Sequence, residues 1–127
     1  MSVNLTMKVL VVDDYPVMVR IVRALLSQIG FTNVEDAPDG ETAFKQIKEK
    51  RYGLVISDLH MDPVSGHELL KRVRAEPDVS RTPFLMITAD SKAENAVAAK
   101  KAGVDSYVTK PFNAAMLKEK IESIFGE

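Results

Sequence analysis

The chain has 127 residues, 46% of them hydrophobic, enough for one ordinary domain with a sizeable core. Seventeen basic residues against eighteen acidic ones leave a formal net charge of -1, so no global field draws the chain onto nucleic acid or an anionic membrane. The lack of cysteine excludes disulfides, thiolate metal sites and a cysteine nucleophile, and no apolar run reaches the roughly 18 residues needed to cross a bilayer.

Short apolar runs alternate with longer stretches of helical period, and no low-complexity tract, repeat or internal linker interrupts them. The first predicted strand, Lys8–Val12, runs into Asp13 and Asp14. Met18, Ile21, Val22, Leu25, Leu26 and Ile29 then recur at helical spacing, and Gly30 stands where a C-terminal cap is wanted. Asn33–Ala37 reads as a second strand, and Ala43, Phe44 and Ile47 mark a second helix. Leu54–Ser57 is a third strand that ends at Asp58, with Leu69, Leu70 and Val73 on the helix that follows. Pro83–Thr88 is the fourth strand. After Ser91 the apolar stripe thins to Ala93, Ala96, Val97 and Ala102, although Ser91 and Glu94 fit a capping box, so the fourth helix has little to bury and is a candidate for movement. Ser106–Thr109 forms the last strand, followed by Lys110 and Pro111 and by a helix carrying Leu117, Ile121, Ile124 and Phe125.

Three of these strands are apolar almost throughout, as strands covered on both faces require, and this favours a parallel sheet. Strand and helix alternating about five times implies right-handed crossovers. The expected fold is a flavodoxin-like, doubly wound α/β domain over residues 1–127, with a five-stranded parallel sheet and five helices.

In such folds ligands sit beyond the carboxyl ends of the strands. Four strand ends carry polar groups there: Asp13 with Asp14, Asp58, Thr88, and Thr109 with Lys110. Three carboxylates in one pocket repel, at roughly 4 kcal/mol per pair at about 4 Å and an effective dielectric near 20. A cation is therefore expected. Oxygen ligands suit Mg2+ better than zinc, since no thiolate exists and only His60 lies near Asp58 in sequence. The ammonium of Lys110 is a second source of charge. With the hydroxyl of Thr88 these would surround one carboxylate with positive charge and donors, which suits an incoming phosphoryl group and makes Asp58 a nucleophile.

Plainer readings stand beside these. Asp13 and Asp14 before Pro16 could simply cap a helix, Asp58 could be a strand-end turn residue, and Lys110–Pro111 could merely terminate a strand. Tyr107 could be a half-buried packing residue, His60 and His67 exposed or loop residues, and Met18, Met86 and Met116 core filling.

The segments VLVVDDYPVMVR, LVISDLHM, MITAD and YVTKPF resemble, in order, the four signature blocks of response-regulator receiver domains. The likeness extends over nearly the whole chain and is greatest to the CheY-like chemotaxis regulators, including GFTNVEDAPDG, AAKKAG and KEKIESIFG. The resemblance implies that Asp58 is the phosphoacceptor and that Asp14 and Asp58 bind Mg2+ directly. His60 would contribute its backbone carbonyl, and Asp13 would act mostly through water. Thr88 and Lys110 would grip the phosphoryl oxygens, Tyr107 would be the aromatic residue that reorients when Thr88 is drawn to the phosphate, and Lys110–Pro111 would be cis. Lys92, Tyr107, Phe112 and Lys120 would lie on the partner-binding face. The implied partners are a CheA-like sensor histidine kinase, a flagellar motor switch protein or another output protein, and a phosphatase.

The chain departs from the family pattern at Asp62, where a proline is usual and Pro63 follows instead, at His60, commonly an amide or small polar residue, and at Ala93, where a second lysine is usual. His60 and Asp90 would flank the path of the water that hydrolyses the acyl phosphate, so the hydrolysis rate is expected to differ from that of relatives. A chain ending at Glu127 is expected to act through another protein, as a cytoplasmic monomer that binds neither nucleic acid nor membrane, and to catalyse only its own phosphorylation and dephosphorylation. A phosphorelay intermediate or phosphate sink would use the same chemistry. A phosphatase of the haloacid dehalogenase type would want a second acid where His60 stands, and a flavodoxin-like nucleotide binder would want a glycine-rich phosphate loop that the chain lacks.

Overall fold

The computed structural model describes residues 3–89, 100 and 103–126. Five strands are present: β1 (Val9–Val12), β2 (Val34–Ala37), β3 (Leu54–Asp58), β4 (Phe84–Thr88) and β5 (Ser106–Thr109). Among the described residues there are four helices, which we number α1 (Pro16–Ile29), α2 (Gly40–Lys50), α3 (Gly66–Ala75) and α4 (Ala114–Ile124). The helix expected after Ser91 lies outside the described residues.

The strands pair in parallel in the order β2-β1-β3-β4-β5, so the sheet winds outward in both directions from β1. This is the expected doubly wound sheet. Its strand bounds are tighter than the apolar runs at three places, for one physical reason. Lys8, Asn33 and Pro83 supply only carbonyls at the ladder's start, accepting from Gly53 (2.8 Å), Val9 (2.9 Å) and Val55 (2.9 Å) respectively. Each makes half a rung. At its other end β3 runs one residue further than its apolar run, because Asp58 pairs with Ile87 and the next amide, Leu59 N–H, donates to the Ile87 carbonyl at 2.8 Å.

The alternation of side chains along each strand divides the interior in two. Leu10, Val12, Val55, Phe84 and Met86 face α2 and α3, where Ala43, Ile47, Leu69, Leu70 and Val73 close over them. Val9, Val11, Leu54, Ile56, Leu85, Ile87 and Val108 face the opposite way and pack under Val22 and Leu26 of α1 and Leu117 and Ile121 of α4. Each such side chain fully removed from water contributes about 1.5–3 kcal/mol.

Three of the helices begin at a side-chain cap. Asp39 accepts from Thr42 N–H at 2.7 Å, Ser65 from Glu68 N–H at 3.1 Å, and Asn113 from Met116 N–H at 2.9 Å. α1 instead starts on Pro16, and ends as its sequence predicts at Gly30, whose φ of 121° suits glycine and whose N–H reaches the Leu26 and Ser27 carbonyls. Among the described residues no helix is long and apolar enough to cross a membrane.

Candidate functional site

Because β1 and β3 are neighbours with Val12 opposite Ser57, the residues that follow, Asp13 and Asp58, leave the sheet side by side. Both continue the parity of the side facing α1 and α4, after Val11 and Ile56. Asp13 is held in place by its N–H to the Ala37 carbonyl at 3.3 Å. Asp14 follows at the surface. Oxygens of Asp13, Asp14 and Asp58 lie within 4.8 Å of one another, although Asp13 and Asp58 are only 4% and 6% exposed.

β5 brings the counter-charge. Its ladder with β4 sets Thr109 opposite Thr88, and the next amide, Lys110 N–H, donates to the Thr88 carbonyl at 2.8 Å. The Lys110 ammonium then lies 3.1 Å from Asp58 Oδ1. The two form an ion pair, and among the described residues Oδ1, shut off from solvent, has no well-aligned hydrogen-bond donor. A buried carboxylate oxygen in this condition, beside two further carboxylates and, among the described residues, no nitrogen or sulfur ligand, fits a hard divalent cation such as Mg2+.

The electrostatics agree. Burial, the largest cause, pushes the Asp13 carboxyl up from 3.8 to about 6, against the Tyr15 N–H bond that lowers it. The Asp58 and Asp14 charges raise it further and Lys110 lowers it. The Tyr15 N–H reaches Asp13 Oδ1 at 3.0 Å, so Asp13 does steady the approach to α1, as a capping reading would have it. The α1 N-cap is nonetheless Tyr15, which makes no side-chain cap of its own.

Thr88 is buried at the end of β4, and Tyr107 lies on the adjoining strand two residues back along the register, opposite Met86 and on the same side of the sheet. Tyr107 is half-buried against the core that α2 and α3 cover. Phe112 is half-buried against the opposite core, and Lys120 is half-buried on α4. His60 and Asp62 are exposed in the β3–α3 connection, and the His60 ring is not part of the cluster of candidate metal ligands. The Lys110–Pro111 bond is cis, as the resemblance implies, and so is Asp62–Pro63. Lys92, Ala93 and Asp90 lie outside the described residues.

One residue of the site escapes a reading by chemistry. Gly66, the first residue of α3, folds back so that its N–H donates to the Leu59 carbonyl at 2.9 Å. A Cβ there would stand 2.3 Å from the Asp58 carbonyl oxygen and 2.7 Å from Met86 Sδ. α3 therefore begins against the backbone of Asp58 itself. The sequence signal was Ser65 followed by Glu68, which marks a helix start but not its close approach to the strand.

A strand order of 2-1-3-4-5 with an acidic cluster and a lysine at the carboxyl ends defines a signalling domain of the receiver class, and a family model for the response regulator receiver domain matches residues 9–122. The chain belongs to that family. Among its curated relatives, the chemotaxis protein CheY-3 of Vibrio cholerae is 45% identical over 122 residues, 96% of this chain and 94% of that protein. Among solved structures, the chemotaxis response regulator CheY4 of Vibrio cholerae superposes with a TM-score of 0.86 at 32% identity, covering 94% of this chain and 98% of that one. The receiver domain of the Pseudomonas aeruginosa sensor histidine kinase PA1611, which has a magnesium ion coordinated in its active site cleft, gives a TM-score of 0.85 at 25% identity over 96% of this chain and 99% of that one.

Proposed function

We propose that residues 1–127 form a single-domain response regulator that takes a phosphoryl group from a phosphohistidine onto Asp58 and thereby changes its affinity for a partner protein. The observation that carries this reading is the buried Asp58 carboxylate, whose Oδ1 is closed off from solvent and ion-paired with the Lys110 ammonium at 3.1 Å. In the proposed transfer an Asp58 oxygen attacks phosphorus in line as the P–N bond breaks, and the electron pair stays with the donor imidazole. The Lys110 ammonium, already beside that oxygen, neutralises charge on the equatorial oxygens, and the Thr88 hydroxyl donates to one of them. Asp14 and Asp58 would hold Mg2+ directly, with Asp13 acting through water and His60 through its backbone carbonyl. When bound, the ion supplies positive charge that lowers repulsion between the carboxylates and the phosphoryl oxygens.

The aspartyl phosphate adds charge and strong acceptor oxygens, and drawing Thr88 toward them frees space for Tyr107, one strand over. A partner that contacts Lys92, Tyr107, Phe112 and Lys120 would then distinguish the two states. The likeness to CheY-3 supports a role in chemotaxis, with a CheA-like kinase as donor and the flagellar motor switch as output, in the cytoplasm.

Intact mass after incubation with acetyl phosphate tests the reading. A single added phosphoryl group that requires both Mg2+ and Asp58, and that fails to appear on Asp58→Asn, is the expected result. Addition to Asp58→Asn at the wild-type rate would overturn it. Binding of the phosphorylated form, and not the unmodified one, to a motor switch protein tests the output.

A further inference from the structure

We infer that Arg74 and Asp105 are positioning residues for Lys110, acting by locking the register of β5 against β4 at the end of the ladder remote from the acidic pocket. The inference rests on the reading above in that Lys110 is taken to serve Asp58.

The need for a lock follows from the strand. β5 is an edge strand of four residues, with β4 as its one neighbour among the described residues, and of its side chains only Val108 is fully buried. Burial on one face is what normally pins register, and a strand with so little of it is prone to slip. Slipping by a single residue would bring Thr109 or Pro111 to the station of Lys110 and turn the lysine to the other face of the sheet.

Asp105, immediately before β5, holds both backbone groups of Phe84, the first residue of β4. Its N–H donates to the Phe84 carbonyl at 3.0 Å, and its Oδ2 accepts from the Phe84 N–H at 2.8 Å. The same Oδ2 accepts from Arg74 Nη2 at 3.0 Å. Arg74 reaches up from α3 and gives three further donors to backbone: Nη1 to the Ser80 and Thr82 carbonyls at 3.0 and 2.6 Å, and Nε to the Gly103 carbonyl at 2.9 Å. One planar guanidinium thus ties the connection before β4 to the turn before β5. A lysine has neither the number nor the fixed fork of donors to do this. The Arg74 side chain is 21% exposed and that of Asp105 40%, so the bonds to the Ser80 and Thr82 carbonyls are part-buried while the pair with Asp105 lies nearer the surface.

The lock lies five residues before Lys110, about 16 Å along the strand. At that far end the ladder closes with Lys110 N–H on the Thr88 carbonyl, and the side chain meets Asp58. The opposite edge is pinned in a similar way. Asp36 of β2 pairs with Arg23 of α1, and Glu35 accepts from the Tyr52 hydroxyl at 2.6 Å and from Lys50 at 3.2 Å. Burial holds the three inner strands, and charged groups from outside the sheet hold both edges. Of the two edges, only β5 leads directly into a side chain of the pocket.

The test compares Arg74→Met and Asp105→Asn with the wild type and with Val22→Ala, a core substitution on α1, whose strand contacts are chiefly with β1 and β2, that lowers global stability and leaves the Arg74 and Asp105 bonds in place. Amide hydrogen exchange read by NMR at Lys110, and the rate of phosphoryl uptake from acetyl phosphate with Mg2+, are measured where all variants remain folded. Asp105→Asn keeps an acceptor for the Phe84 N–H and removes the charge that holds Arg74, so it serves if Arg74→Met does not fold. We expect Lys110 exchange to quicken about tenfold in the two lock variants, relative to Ile56 in the sheet centre, as a local and not a global opening. Phosphoryl uptake is expected to fall about tenfold to a hundredfold, the scale on which a displaced group costs rate. Val22→Ala should change neither the exchange ratio nor uptake. Wild-type exchange at Lys110 in both lock variants, or parallel behaviour of Val22→Ala, would overturn the inference. Failure of the wild type itself to take up phosphate would instead overturn the proposed function, and the exchange ratio would still decide the lock.

Discussion

Asp13 shows how a single buried carboxylate ties stability to the pocket's charge. Its folded-state value of about 6 lies above the 3.8 of an unperturbed aspartate, chiefly because burial disfavours the ion. Between about pH 4 and pH 6 the folded protein therefore binds more protons than the unfolded chain, and stability from this group is lost as pH rises through that window. The loss is about 3 kcal/mol for the metal-free protein. Asp13→Asn cannot ionise, so denaturant unfolding of wild type and variant across that window should converge at the acid end and diverge toward neutrality, with the variant the more stable above about pH 6. Equal pH dependence of the two would show that Asp13 does not carry the strain. Glu35 titrates in the opposite sense, since the Tyr52 hydroxyl and then Lys50 lower it, and it is common to both proteins and drops out of the difference.

At the level of elements, the junction of β3 with α3 is the least forgiving place near the pocket. A methyl group on Gly66 would meet the Asp58 carbonyl at 2.3 Å, a backbone atom that cannot swing aside. Gly66→Ala should cost about 1–3 kcal/mol by overpacking, read as a lower melting temperature, and should slow phosphoryl uptake because the displaced atom belongs to the proposed nucleophile's own residue. Wild-type stability in this variant would mean that the helix start is free to shift. The sequence reveals β1, β3, β4 and α1 readily, since burial on both faces writes an unbroken apolar run and burial on one side writes a 3.6-residue period. The strand-end Asp13, Asp58, Thr88 and Lys110 could be placed together for the same reason: once the strands are known, topology puts their ends in one place. What holds the edges could not be read this way. Arg74 sits in a run of charged helix residues, and nothing in its spacing distinguishes a guanidinium that binds three backbone carbonyls from one that faces water. Gly66 was hidden for a related reason, because a close approach between elements distant in function leaves no period in the chain.

For the molecule as a whole, the sheet divides two interiors that scarcely share a side chain. Ile47 is buried under α2 on one side and Ile121 under α4 on the other. Ile47→Val and Ile121→Val should each cost about 0.5–1.5 kcal/mol. Denaturant unfolding of the double variant should return their sum within about 0.5 kcal/mol, as for sites with no common neighbour. A coupling well beyond that would mean that the sheet transmits packing strain from face to face. If the two sides are independent, sequence change is compartmentalised. A lineage can repack the face under α2 and α3 while leaving the other as it was, and the pocket, whose Asp13 and Asp58 rise from one side and whose threonine rises from the other, is where both histories must still agree.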